Sequence, residues 1–160
     1  MRNTLSEKTN VMRLLSQKKI NYHAYTYNTS SALSGAEVAA VLGQDPLRVF
    51  KTLVTTGASG NHYVFMIPVE KELDLKKAAS AVEEKNIVML KSRDLLPLTG
   101  YIHGGCSPIG MKKQFRTVLD ISAFSFDQIL FSAGKIGYQV EIDPHCLEMF
   151  FPLQLCDLCL

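Results

Sequence analysis

The chain has 160 residues, 47% of them hydrophobic, which suits a single domain over residues 1–160 with a sizeable core and excludes a disordered chain. With 17 basic against 15 acidic residues the net charge is only +2, so bulk charge does not demand nucleic acid and any such contact needs a local patch. The N-terminus is polar where a signal peptide would be apolar, and no apolar run approaches the ~20 residues of a membrane span, so a cytoplasmic protein with no membrane contact is expected.

In chain order, residues 5–18 place Leu5, Val11, Met12, Leu14 and Leu15 at helical spacing among lysines, and residues 20–27 alternate as a half-buried strand. Ser34 and Glu37 form a capping box for a helix that ends at Gly43, and Asp45 and Pro46 open a further turn with proline at a first helical position. Residues 49–56 and 62–68 read as a hairpin across the glycine-bearing connection 57–61. Asp74 caps a helix running through Val82, residues 87–90 form a short strand, and Ser92 caps a helical turn reaching Pro97.

Residues 100–110 then carry glycine at 100, 104, 105 and 110 with almost no charge, a composition that offers main chain as a binding surface. Three strands follow over 117–120, 128–133 and 138–142, and Asp143 with Pro144 starts a final helix. Strands outnumber helices, and hairpin-length connections mix with helical insertions. The expected fold class is α+β with a mixed or antiparallel sheet.

Lys51 interrupts an otherwise apolar strand and shares a face with Val49 and Leu53. If that face is buried, the ammonium needs an anion or a ligand; the alternative is an edge position from which the lysine reaches water. The glycine loop lacks the ending of a phosphate loop, and its turns suit a carbonyl or carboxylate. His23, His62, His103 and His145 are scattered, which implies neither a metal nor a cofactor. Cys106, Cys146, Cys156 and Cys159 read as reduced thiols, the Cys156 and Cys159 spacing as terminal packing, and the sequence supplies no base for Cys106.

Phe50-Lys51-Thr52-Leu53, the loop from Gly100 through Lys113, the turn from Ser132 to Gly137, and Val140-Glu141-Ile142 together resemble the YbaK family of freestanding aminoacyl-tRNA deacylases, over nearly the whole chain. The family is related to the editing insertion of prolyl-tRNA synthetase. The resemblance implies an α+β fold around a barrel-like sheet of six or seven strands, and hydrolysis of mischarged tRNA, most characteristically Cys-tRNA(Pro). It places Lys51 near the terminal adenosine and its phosphate, with Gly104 and Gly105 near the scissile ester as the catalytic group. Tyr25, Thr52, Ser132 and Gly134 are implied as substrate-binding.

The family pattern also implies that no protein nucleophile is needed, because the substrate's own thiol can attack its ester carbonyl, a lyase-like cyclisation. Lys112, Lys113, Arg116 and Lys135 are candidates for a basic rim that touches tRNA phosphates; a merely solvated surface is the alternative. Aminoacyl-tRNA is the implied partner, with prolyl-tRNA synthetase as a second. A deacylase for alanine or serine on tRNA and a noncatalytic tRNA-binding module remain the competing functions.

Overall fold

The computed structural model describes residues 7–28 and 33–160. Helix α1 (Asn10–Gln17) starts where Thr9 Oγ1 accepts from the Met12 amide at 3.2 Å, and it buries Val11, Met12 and Leu15. It is shorter than the expected 5–18: residues 5 and 6 lie outside the described residues, and Lys19, at φ 58°, turns the chain away from the helix. The capping box forms as expected at the start of α2 (Gly35–Val41), with Glu37 N donating to Ser34 Oγ at 3.2 Å and Ser34 N to Glu37 Oε1 at 2.8 Å. Asp74 caps α3 (Leu75–Ala81) by accepting from the Lys76 and Lys77 amides.

Helix α4 (Ser92–Thr99) departs from expectation at both ends. Lys91 is its N-cap, Ser92 is already helical, and the helix continues through Pro97 for two more residues. Proline removes one backbone donor there, but the helix is short and Arg93, one turn earlier, is exposed, so its carbonyl can be met by water. Gly100 ends the helix at φ 88°, its amide donating to Leu96 O at 2.9 Å. The final helix is a 3-10 segment, Pro144–Met149, entered through Asp143, and a similar one, Pro46–Arg48, is entered through Asp45.

The strands are β1 (His23–Thr26), β2 (Phe50–Gly57), β3 (His62–Pro68), β4 (Ile87–Met89), β5 (Arg116–Asp120), β6 (Ile129–Ser132), β7 (Tyr138–Ile142) and β8 (Gln154–Cys156). They make two sheets, β1-β7-β6 and β4-β2-β3-β5-β8, in place of the single barrel-like sheet expected. A parallel bridge between Val49 and Leu130 joins their edges. The smaller sheet is antiparallel throughout, whereas β5 runs parallel to both β3 and β8, so the larger one is mixed.

The main core lies between the sheets. Val140, Ile142, Ile129 and Phe131 from the small sheet meet Phe50, Val54, Val64, Met66 and Leu119 from the large one, with Met12 and Leu15 of α1. On the opposite face of the large sheet, α3 covers Tyr63, Phe65, Ile67 and Val118. The opposite face of the small sheet is different. Leu130 packs there with Val49, Val69 and Ala39 of α2, and beyond that patch the surface opens into a hollow.

Candidate active site

A cavity of about 200 Å³ lies where the start of β2, the N-terminus of α2, the end of β6, the start of β7 and the glycine loop converge. Its lining includes Lys51, Thr52, Ser132, Gln139, Gly104 and Cys106. Hydrogen bonding and alternation explain each placement. Register puts Gln139 of β7 opposite Ser132 of β6, so these two polar side chains share the face that looks away from the main core. Val49 to Leu53 all border the hollow, because the chain there passes from the 3-10 segment into the sheet.

Lys51 is half-buried at this wall, and its ammonium makes no hydrogen bond or ion pair among the described residues. Its Nζ is not among the buried side-chain atoms that lack a partner, so water reaches the ammonium, which stays free to meet an anionic or carbonyl oxygen. Gly104 borders the same hollow from the glycine loop at φ 87°, a backbone conformation that favours glycine, and its N–H also has no partner among the described residues. Gly105 behaves differently. Its amide donates to Ile102 O at 2.9 Å, closing a turn, and a Cβ there would sit 3.1 Å from Ile136 N, so glycine at 105 is needed for loop-to-turn packing. Of the loop residues that line the cavity, His103, Gly104 and Cys106 have amides without a hydrogen bond among the described residues.

Ser132 Oγ accepts from Gly134 N at 3.1 Å and so fixes the turn that follows β6; Ser132 borders the cavity, while Gly134 acts from behind it at φ 91°. Tyr25 is not part of the lining. Its hydroxyl donates to Glu141 Oε1 at 2.9 Å, and burial, then the Glu141 carboxylate, raises its pKa. Tyr27, two residues along β1's direction, borders the cavity instead.

The four basic residues proposed from sequence are spread out, and none of them lines the cavity. Lys112 packs against Gly100 at the start of the loop and donates to Pro97 O at 3.5 Å. Lys135 Nζ pairs with Glu7 at 2.8 Å and lies over the Tyr138 ring. Lys113 and Arg116 come together in a separate hollow with His62, Lys113 over the Phe115 ring and Arg116 Nε donating to Gln154 Oε1 at 3.0 Å.

Sequence reasoning missed Gln139, Tyr27 and Leu95 of the lining. The signal for Gln139 was present in the wrong guise, because alternation in β7 marks residues 139 and 141 as the polar face, which ordinarily means solvent. Burial pushes the Cys106 thiol up to about 12, so at neutral pH it is a neutral lining group and no nucleophile. Among the described residues no three His, Cys, Asp or Glu side chains gather into a group that could hold a metal. No helix among them is long and apolar enough to cross a membrane.

A mixed two-sheet fold with a lysine and bare loop amides around one hollow defines a class of protein. The model of the aminoacyl-tRNA editing domain matches residues 29–150, and the chain belongs to that family. Among relatives, EbsC of Enterococcus faecalis (strain ATCC 700802 / V583), whose name gives it provisionally as a Cys-tRNA(Pro)/Cys-tRNA(Cys) deacylase, is 48% identical over 142 residues, 88% of this chain and 87% of that protein. Two solved structures share the fold. One, described as the hypothetical protein APE2540, matches with a TM-score of 0.84 at 20% identity over 94% of this chain and 99% of the other. The second, described provisionally as a trans-editing enzyme for prolyl-tRNA synthetase, matches with a TM-score of 0.81 at 21% identity over 98% and 99%.

Proposed function

We propose that this chain is a deacylase that edits mischarged tRNA in trans, with Cys-tRNA(Pro) as its characteristic substrate. The observation that carries the reading is that Lys51 and Gly104 line one hollow, the ammonium of one and the amide of the other without a partner among the described residues, in a chain 48% identical to a relative named for Cys-tRNA deacylation. The acceptor end of the tRNA brings its aminoacyl ester into the cavity. Lys51 and the amides of Gly104 and Cys106 are donors, suited to the oxygen that gains negative charge as the ester carbonyl becomes tetrahedral.

The attacking atom comes from the substrate. The cysteine sulfur bonds to its own carbonyl carbon, the bond to the ribose 3′-oxygen breaks, and the thiol proton passes to that oxygen; water then opens the cyclic thioester. Holding thiol and carbonyl in one cavity supplies the orientation that makes such an intramolecular step fast. Lys112 and Lys135, which flank the glycine loop and its neighbouring turn, touch the tRNA backbone without reading sequence. Choice of tRNA rests with a partner such as prolyl-tRNA synthetase, and the activity belongs in the cytoplasm where tRNA is charged.

The test is a deacylation panel with purified protein. Cys-tRNA should be discharged and Ala-tRNA and Ser-tRNA spared. Equal turnover of Ala-tRNA would replace the thiol-assisted route by direct hydrolysis of a small-amino-acid ester, and tight binding of Cys-tRNA without turnover would replace the enzyme by a binding module.

A further inference from the structure

Two residues of the cavity wall are left incomplete by the fold. Gln139 Oε1 and Thr52 Oγ1 are both shut off from solvent, and neither has a hydrogen-bond partner among the described residues. They come from different sheets, β7 and β2, yet border the same hollow. Gln139 is only 7% exposed, so water does not compensate its carbonyl. Orphaned buried acceptors are uncommon in native folds and call for an explanation.

The neighbouring position shows that this strand face can supply partners when the fold needs them. Glu141, also buried, is met by Arg48 at 2.6 Å, by the Tyr25 hydroxyl at 2.9 Å and by His23 at 3.4 Å. Among the described residues nothing equivalent reaches Gln139 Oε1.

We propose that Gln139 and Thr52 receive the α-ammonium of the aminoacyl group, so that the site requires a free amine. The inference rests on the deacylase reading above and divides the cavity by hydrogen-bonding sense. Lys51 and the loop amides only donate and suit oxygens of the ester and phosphate. An α-amino group, with an ordinary pKa of about 8, carries N–H donors that these groups cannot accept. Gln139 Oε1 and Thr52 Oγ1 are the buried side-chain oxygens of the lining left with no partner among the described residues, whereas Ser132 Oγ already receives the Gly134 amide.

A small movement suffices to engage them. The terminal torsion of glutamine is broad, so Oε1 can swing toward the hollow, and a threonine hydroxyl turns its proton out of the way. The consequence is a substrate class: aminoacyl-tRNA is cleaved, and tRNA whose amino acid is N-acylated, as in a peptidyl ester, is spared.

The experiment compares Cys-tRNA with N-acetyl-Cys-tRNA, both with the thiol free, using the full chain. Wild type should cleave the free amine at least about tenfold faster, the size expected for losing a charge-assisted hydrogen bond. Gln139→Met should raise KM for Cys-tRNA and bring the ratio of the two rates toward one, whereas Gln139→Glu, which keeps acceptor oxygens, should preserve the ratio. A purely structural role for Gln139 would lower both rates together and leave the ratio where it was. Equal wild-type rates on the two substrates, or an unchanged ratio in Gln139→Met with normal thermal melting, would overturn the inference. Failure of wild type to cleave Cys-tRNA at all would overturn the deacylase reading itself.

Discussion

Glu141 and Gln139 sit two residues apart on the same face of β7, are buried to the same degree, and have been treated in opposite ways by the fold. The carboxylate is held by three side chains from two other segments, and Arg48 also donates to Gln128 O at 3.0 Å and Gln44 Oε1 at 2.6 Å, so this corner ties β1, the 3-10 entry to β2 and the edge of β6 together. The amide beside it borders a hollow, and its oxygen lacks a partner among the described residues. A satisfied buried polar group belongs to the fold's own accounting, whereas an unsatisfied one next to a cavity calls for an explanation and leaves an atom free to meet a ligand. Lys51 differs from both: it is half-buried beside the same hollow and its ammonium, with no ion pair among the described residues, is open to water.

That contrast is most sharply broken or upheld at Lys51. Lys51→Ala should reduce deacylation of Cys-tRNA by roughly 10²–10³-fold, the range for removing one donor from a developing oxyanion. Its thermal melting should stay close to wild type, because the ammonium makes no ion pair within the described residues. A variant with normal turnover would remove Lys51 from the chemistry; one that unfolds would move it to the structural side of the comparison.

The converse holds at the corner. Arg48→Ala leaves Glu141 buried with its main counter-ion gone, and breaking a buried pair in this way costs on the order of 3 kcal/mol. Urea denaturation should show a clear drop in midpoint. The folded fraction should retain more activity than Lys51→Ala does, since Arg48 does not line the cavity. Gln139→Leu is the smaller and more telling change. Replacing an orphaned amide by an apolar side chain of similar length should leave stability unchanged or raise it by about 1 kcal/mol, while binding of Cys-tRNA weakens. A loss of stability comparable to that of Arg48→Ala would show that Gln139 is partnered in the folded protein after all.

Local chemistry made much of this legible in sequence. The capping box at Ser34, the caps at Asp74 and Asp143, and the hairpin between β2 and β3 all depend on residues close in the chain. Lys51 and the glycine loop stood out because a charge in an apolar strand and clustered glycines are anomalies at the level of residue order. What stayed hidden depends on distant segments. β8 is a three-residue strand that exists because β5 offers it an edge, and nothing in Gln154, Leu155 and Cys156 marks it. The split into two sheets is likewise a tertiary outcome, as is the choice of Tyr27 over Tyr25 for the cavity wall, which follows from Tyr25 being taken up by Glu141. Gln139 was hidden for a related reason: period-two alternation distinguishes faces but cannot say that the polar one is covered by α2 and the approach to β2.

A further buried group of the cavity, Cys106, tests the same distinction by titration, with no effect expected at neutral pH. Burial raises its thiol from the ordinary 9.0 to about 12, and burial, then the Asp120 charge, raises Cys159 to about 11. In the unfolded chain these thiols ionise near their ordinary value, while in the folded chain they hold their protons. The unfolded state therefore releases protons first as pH rises, so the stabilisation is whole below about pH 9 and is lost as pH climbs toward 12. Urea midpoints should accordingly be flat from neutrality to about pH 9 and then fall, and Cys106→Ala should fall less, the remainder coming from Cys159 and from Tyr101, whose burial likewise raises it to about 12. Parallel losses in wild type and Cys106→Ala would mean that the thiol at the cavity is ionised or solvated in the native protein, and it would then become a candidate nucleophile. A shallower fall in the variant would leave the substrate's sulfur as the one in the cavity that is free to react.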